Sequence, residues 1–146
     1  MFSELSEVRI FAGLSPAALK LLESQAQPLV VQPLEIVVRE GEPGDRLFVI
    51  QSGEVRACRG FSKVNEVELA RLGQGDCFGE MCILDTLPRS ATVQATRETR
   101  LCSLNSVALY ELHVHHPRQF SVVLLNLARE LSRRLRSLDK AFAAWQ

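Results

Sequence analysis

No stretch of this sequence approaches the ~18 consecutive apolar residues that a membrane-spanning helix requires. The N-terminus, MFSELSEVRIF, carries Glu4 and Glu7 before its first arginine, Arg9, so it lacks the basic n-region of a secretory leader. These absences lead us to expect a cytoplasmic chain that makes no membrane contact. An excess of charge of either sign is missing too. Lys+Arg and Asp+Glu each number 17, for a formal net charge of zero, so bulk attraction to nucleic acid has no support.

The four cysteines, Cys58, Cys77, Cys82 and Cys102, form no CxxC pair and sit in apolar patterns. Buried free thiols are expected rather than disulfides or a metal site. They are also too dispersed for an iron–sulfur sensor. The only histidines, His113, His115 and His116, fall in a region that reads as helical. A metal-dependent barrel enzyme would need histidines on its strands. No Ser-His-Asp set or pair of carboxylates stands out. No enzyme, no metal and no cofactor are expected.

What remains is an ordinary globular composition, 47% hydrophobic and 23% charged over 146 residues, enough for one domain with a single core. Residues 3–25 read as short helices, with Ser3 and Ser15 as N-caps and Pro16 at the first helical position. Leu19 and Leu22 supply a short apolar stripe. From Pro28 the period changes. Leu29–Val31, Ile36–Val38 and Leu47–Ile50 are β-branched or aromatic runs. Gln32-Pro33, Gly41–Asp45 and Ser52-Gly53 punctuate them, the pattern of an antiparallel sandwich or barrel. Val55–Arg59 and Val67–Leu72 form a further hairpin, and Ala91–Ala95 and Arg100–Leu104 are the last strands. A helix capped by Asn105 or Ser106 runs to about His115, and Pro117 starts another.

In that final helix Leu124, Ala128, Leu131, Leu135, Leu138, Phe142 and Trp145 are spaced 4, 3, 4, 3, 4, 3. This is an a/d seam, with Arg134 and Asp139 as an oppositely charged g–e pair. The seam either packs on the chain's own barrel or joins two copies. We expect a homodimer, because Phe142 and Trp145 carry it past what a small barrel covers.

The chemistry concentrates in Phe78–Val93, FGEMCILDTLPRSATV. Glu80 and Arg89 stand nine residues apart, joined by a one-turn helix and a turn-prone loop. A helix N-terminus offers unpaired N–H groups and partial positive charge to an anion. Gly79 permits close approach, Met81 and Cys82 offer backbone donors, Arg89 can fork onto phosphate oxygens, and Ser90 adds a hydroxyl. Glu80, the wrong group for phosphate, can accept from a sugar hydroxyl. On composition alone, Glu80 and Arg89 pairing with each other explains the segment equally well.

The segment GDCFGEMCILDTLPRSATV resembles the phosphate-binding cassette of the cyclic nucleotide-binding domain family, which includes catabolite activator proteins, protein kinase A and G regulatory domains and cyclic nucleotide-gated channels. Phe78, Gly79, Glu80, Cys82, Pro88, Arg89, Ser90, Ala91, Thr92 and Val93 carry the resemblance. EGEPGDRLFVIQSGEV, Glu40–Val55, resembles the family's glycine-marked strand–turn–strand. The resemblance implies an α+β fold: an eight-stranded antiparallel β-roll, jelly-roll-like, with N-terminal helices, a short phosphate-binding helix and a long C-terminal helix. One domain would span 1–146, the roll occupying about 28–104 and the C-terminal helices 105–146. Glu80 would bind the ribose 2′-OH and Arg89 the cyclic phosphate. Ser90 and the backbone of Gly79, Met81, Cys82 and Ala91 would complete the site, with Leu47, Val49, Leu72 and Ile83 as pocket wall.

Bacterial activators place a Thr-Ser pair on the long helix against adenine. Counting without gaps, this chain has Arg134 and Leu135 there, with Ser132 or Ser137 only if the register shifts. The chain stops at Gln146, where an activator would continue into a helix-turn-helix, so no direct DNA binding is expected. The implied function is a non-catalytic cAMP sensor that signals to a partner protein. The alternatives are a cGMP sensor, since Ser90 suits either base, and a ligand-free dimerisation module.

Overall fold

A computed structural model describes residues 2–145, apart from the side chains of residues 2–4, 82, 83 and 145. Two 3₁₀ turns, Phe2–Glu7 and Arg9–Phe11, precede α1, Pro16–Gln25. The Ser15 hydroxyl accepts from Ala18 N at 3.2 Å and Pro16 occupies the first turn, as the sequence predicts. The expected cap at Ser3 rests on a side chain outside the described residues.

Eight strands follow: β1 Gln27–Val31, β2 Ile36–Val38, β3 Arg46–Ser52, β4 Glu54–Arg59, β5 Val67–Gly73, β6 Cys77–Phe78, β7 Thr92–Ala95 and β8 Thr99–Asn105. They form two antiparallel four-stranded sheets, ordered β1-β8-β3-β6 and β2-β7-β4-β5. The α+β roll is therefore the architecture. Strand β6, only two residues long, has no counterpart in the periodicity of the sequence. It exists because Phe48 pairs with Phe78 and Val49 with Cys77 across β3.

Two cores meet at β3. Phe48, Ile50, Val55, Leu72, Phe78, Val93 and Leu101 fill the roll, with the rings of Phe48 and Phe78 stacked 5.0 Å apart. Leu47 and Val49 point the other way and join Ile10, Phe11, Leu22, Leu104, Leu112, Val123 and Leu127 beneath the helices. This corrects the pocket-wall role expected for Leu47 and Val49. A strand buried on both faces reads as one continuous apolar run, and such a run carries no record of which face is which. Each fully buried aliphatic side chain contributes about 1.5–3 kcal/mol relative to exposure.

The chain closes with α2, Glu80–Asp85, between β6 and β7, then α3, Ser106–His115, and α4, Pro117–Trp145. Asn105 caps α3 by accepting from Ala108 N at 3.0 Å. Helix α4 spans about 43 Å at 1.5 Å per residue. Its barrel-facing stripe includes Phe120, Val123, Leu127 and Leu131. Asn126 Nδ2 donates to the carbonyls of Ile10 and Ala12, and Ser15 N to Gln119 Oε1. These bonds lock α4 to the N-terminal turns and to the start of α1. No helix among the described residues is long and apolar enough to cross a membrane.

Candidate functional site

The segment from β6 to β7 is built by three local devices. Gly79 adopts φ +84, a left-handed value that L side chains disfavour. A β-carbon there would also sit 2.8 Å from the Arg46 carbonyl. Glycine thus lets the chain leave β6 and enter α2 against β3. After α2, Asp85 Oδ1 accepts from Leu87 N at 3.0 Å and turns the chain back. The return is then stitched to the β2–β3 loop: Arg89 N donates to Glu42 O at 2.8 Å, Gly41 N to Arg89 O at 2.9 Å and Glu40 N to Thr92 Oγ1 at 3.0 Å. The glycine-marked stretch 40–45 is thereby the seat of Arg89.

These devices place Glu80 and Arg89 on one cavity of about 150 Å³ but do not pair them. Arg89 is only 7% exposed. Its Nη1 donates to Arg46 O at 3.0 Å and to Gly79 O at 3.4 Å, and its Cζ lies 5.8 Å from the Phe48 ring centroid. Among the described residues no carboxylate lies within salt-bridge distance of it, so a buried guanidinium faces the cavity without a counter-ion. Pairing between Glu80 and Arg89, left open by composition, is not what the fold does.

Glu80, 3% exposed, pairs instead with Arg134 of α4. Arg134 Nη1 donates to Glu80 Oε1 at 2.9 Å and its Nη2 to Cys77 O at 2.7 Å. The second oxygen, Glu80 Oε2, is buried with no hydrogen-bond partner. Arg134 Nε lies 3.3 Å from Glu130 Oε1. Burial disfavours the Arg134 charge. The carboxylates of Glu80 and Glu130 beside it outweigh burial and hold the guanidinium more firmly protonated than usual. The expected g–e pair of Arg134 with Asp139 is therefore overturned, because Arg134 turns into its own roll. Leu135 points outward, 60% exposed.

Gly79, Glu80, Met81, Arg89, Ser90, Ala91 and Leu72 all line the cavity. The side chains of Cys82 and Ile83 lie outside the described residues. Val38, Ala57, Leu69 and Ala70 with Leu72 give the cavity an apolar lining; of these the sequence marks Leu72 as pocket wall, and the others only as members of strands. Arg134 also lines the cavity, on the stretch of the long helix that counting without gaps matches to the activators' adenine contact; its expected pairing with Asp139 is what the structure overturns. The signal for Arg134 is there in retrospect, since it continues the spacing Phe120, Val123, Leu127, Glu130, Arg134 along the face that packs on the roll. Cys58, Cys77 and Cys102 are free and buried. Burial pushes the thiols of Cys77 up to about 12 and Cys102 up to about 11, so both stay protonated and inert at neutral pH.

The cyclic nucleotide-binding domain model matches residues 28–116. The chain belongs to the cyclic nucleotide-binding domain family. It is 36% identical over 129 residues to the CRP-like cAMP-activated global transcriptional regulator of Mycobacterium tuberculosis, a match covering 88% of this chain and 58% of that protein. Among solved structures, a cyclic nucleotide-binding domain from Methylobacillus flagellatus superposes with a TM-score of 0.86 at 28% identity, covering 97% of this chain and 83% of that one. The catabolite activator protein of Thermus thermophilus superposes with a TM-score of 0.77 at 34% identity, covering 94% and 62%. The chain thus spans a little over half the length of such bacterial regulators.

Within this cyclic nucleotide-binding domain, the Glu80–Arg134 contact ties cavity to long helix, and its removal has a measurable consequence. Arg134→Leu leaves a buried carboxylate without its partner. The ligand-free protein is expected to lose about 3 kcal/mol, read by urea unfolding, the low end of the range for an orphaned buried charge because Arg134 itself is partly exposed. Glu80→Gln added to Arg134→Leu should restore part of that loss, because a neutral amide costs less to bury alone. Equal stability of Arg134→Leu and the parent would refute the pairing.

Proposed function

We propose that this domain binds cAMP and acts as a non-catalytic regulatory sensor. Arg89 takes the cyclic phosphate, Glu80 Oε2 accepts the ribose 2′-OH, Ser90 and the backbone of Gly79, Met81, Cys82 and Ala91 complete the polar side, and the base lies against the apolar wall around Leu72. The observation that carries this reading is the buried Arg89 guanidinium with no anionic partner, in one cavity with a carboxylate oxygen that has no donor. Each is the complement of a group that a ribose cyclic phosphate carries. The choice of cAMP rests on the Mycobacterium tuberculosis relative, whose name carries it.

The signal runs through α2 and the helices. Leu84 is 48% exposed at the edge of a second, apolar cavity of about 330 Å³ lined by Leu109, Tyr110, Phe120, Val123 and Leu127. Phosphate draws residues 79–84 inward through Arg89, Leu84 repacks toward that cavity, and α3 shifts α4 against the roll. The ligand shifts this equilibrium only through its differential affinity for the two arrangements. Two copies join through the outward seam of α4, and the message passes to an effector protein.

Calorimetry against cAMP and cGMP in parallel tests this. One cAMP per chain is expected, bound more tightly than cGMP, and at 100 times the dissociation constant it should stabilise the fold by about 2.7 kcal/mol. Tighter binding of cGMP would reverse the assignment. No heat and no melting shift with either nucleotide would leave a dimerisation module.

A further inference from the structure

The stretch Gly41-Glu42-Pro43-Gly44-Asp45 contains two glycines, and backbone conformation explains only one. Gly41 adopts φ +88 and has open space where a side chain would go. Gly44 is not in the left-handed region, so its backbone would accept any L residue. What excludes a side chain there is Arg89. A β-carbon on Gly44 would lie 2.6 Å from Arg89 Nη2, and nearer still to Nε and Cζ, well inside contact distance.

We propose that Gly44 is a positioning residue for the anion contact: its missing side chain is the slot in which the Arg89 guanidinium lies, so residue 44 sets where the phosphate is gripped. The inference rests on reading Arg89 as the phosphate ligand, and it names the element that aims it. The other walls of the slot are on the page. The Arg89 backbone is bonded to Gly41 and Glu42, its Nη1 is held by the carbonyls of Arg46 and Gly79, and the Phe48 ring lies to one side. With the main chain pinned and Nη1 held by two carbonyls, the guanidinium is bounded by its clearance from residue 44 on one side and opens to the cavity on another, so a side chain at 44 pushes it off its present position. A methyl group there strikes the far end of a long side chain, not the backbone. The fold can accommodate it, and the displacement falls on Arg89. A fork aimed at two oxygens depends on orientation as well as charge, so a displacement of this size disrupts recognition without removing the charge.

The test is a double-mutant cycle on the full chain, with cAMP affinity by calorimetry and ligand-free spectra as a second readout. Gly44→Ala should weaken cAMP binding about tenfold and Gly44→Val more, while the ligand-free melting temperature of Gly44→Ala stays within about 2 °C of the parent. In an Arg89→Lys background, where no guanidinium plane fills the slot, Gly44→Ala should cost less than about twofold. In the ¹H–¹⁵N spectrum of ligand-free Gly44→Ala, the Arg89 Nε–Hε resonance should move while amides remote from the 40–45 loop stay in place. An unchanged affinity, an equal loss in both backgrounds, or a collapse of the fold in Gly44→Ala would each overturn the proposal. If the parent binds no cyclic nucleotide, the functional reading fails by itself, and movement or constancy of the Arg89 Nε–Hε resonance still decides the role of Gly44.

Discussion

Arg89→Ala is expected to weaken cAMP binding by roughly 100-fold or more, and to do so without unfolding the protein. Truncating one member of a buried, hydrogen-bonded charge pair costs about 2–5 kcal/mol in binding, and a factor of ten corresponds to about 1.4 kcal/mol. Arg89 qualifies as such a member because it is 7% exposed and has no carboxylate partner among the described residues. The same facts govern stability in the absence of ligand. The substitution removes two hydrogen bonds to carbonyls, worth about 0.5–1.5 kcal/mol each, but it also removes a buried charge with no counter-ion, which opposes folding. The two effects offset, so the ligand-free melting temperature should move little. Calorimetry with cAMP and thermal unfolding without it read the two halves separately. Arg89→Lys, which keeps the charge and loses the fork, should fall between. Unchanged affinity in Arg89→Ala would sink the site assignment.

Leu135→Glu is expected to convert a dimer into monomers. Leu124, Leu135, Leu138 and Phe142 are 41%, 60%, 54% and 62% exposed, all on one stripe of α4. A single exposed leucine means little, but four at heptad spacing on one helix make a continuous apolar face. Of the expected seam, Leu131 packs against the chain's own core and Leu124 lines the second cavity, while Leu135, Leu138 and Phe142 are left to the outside. Val123 and Leu127, one step round the cylinder, are buried beneath the helix. A glutamate at position 135 would place two carboxylates, one from each copy, inside a dry seam, where neither finds a counter-charge. Sedimentation velocity should then give the mass of one chain, with cAMP affinity per chain retained to the extent that the cavity is built from one copy. An unchanged sedimentation profile would remove the seam from consideration as the interface. Leu127→Glu serves as the contrast, since it enters the chain's own core and should cost the fold itself.

The two substitutions show how unevenly the site could be read from the chain. Local order was legible where the chemistry is local: Ser15 and Pro16 start α1 and Asn105 starts α3, because a cap needs only a side chain and the three residues after it. The strands were legible from β-branched runs between turn residues. The cassette was legible because Phe78, Gly79, Glu80 and the run Pro88–Val93 keep their types and spacing. Other features needed contacts across long sequence separations. Strand β6 is defined by its partner in β3. The sidedness of Leu47 and Val49 depends on helices packed outside the sheet. Gly44 and Arg89 are 45 positions apart in sequence, and nothing in either's neighbourhood announces that one fills the space the other leaves.

By itself, the amino-acid sequence determined the family, the order of helices and strands, and the presence of one carboxylate and one guanidinium at the spacing that a ribose cyclic phosphate requires. Only the tertiary structure decided which charges meet. Glu80 and Arg89, nine residues apart, are kept from pairing because Gly79 and the 40–45 loop hold Arg89 against β3, while Arg134, 54 residues beyond Glu80, arrives on α4 to take one carboxylate oxygen and leave the other free. Which charges pair depends on where backbones are pinned in three dimensions, and the pins here are hydrogen bonds and clearances between segments that the chain order keeps apart.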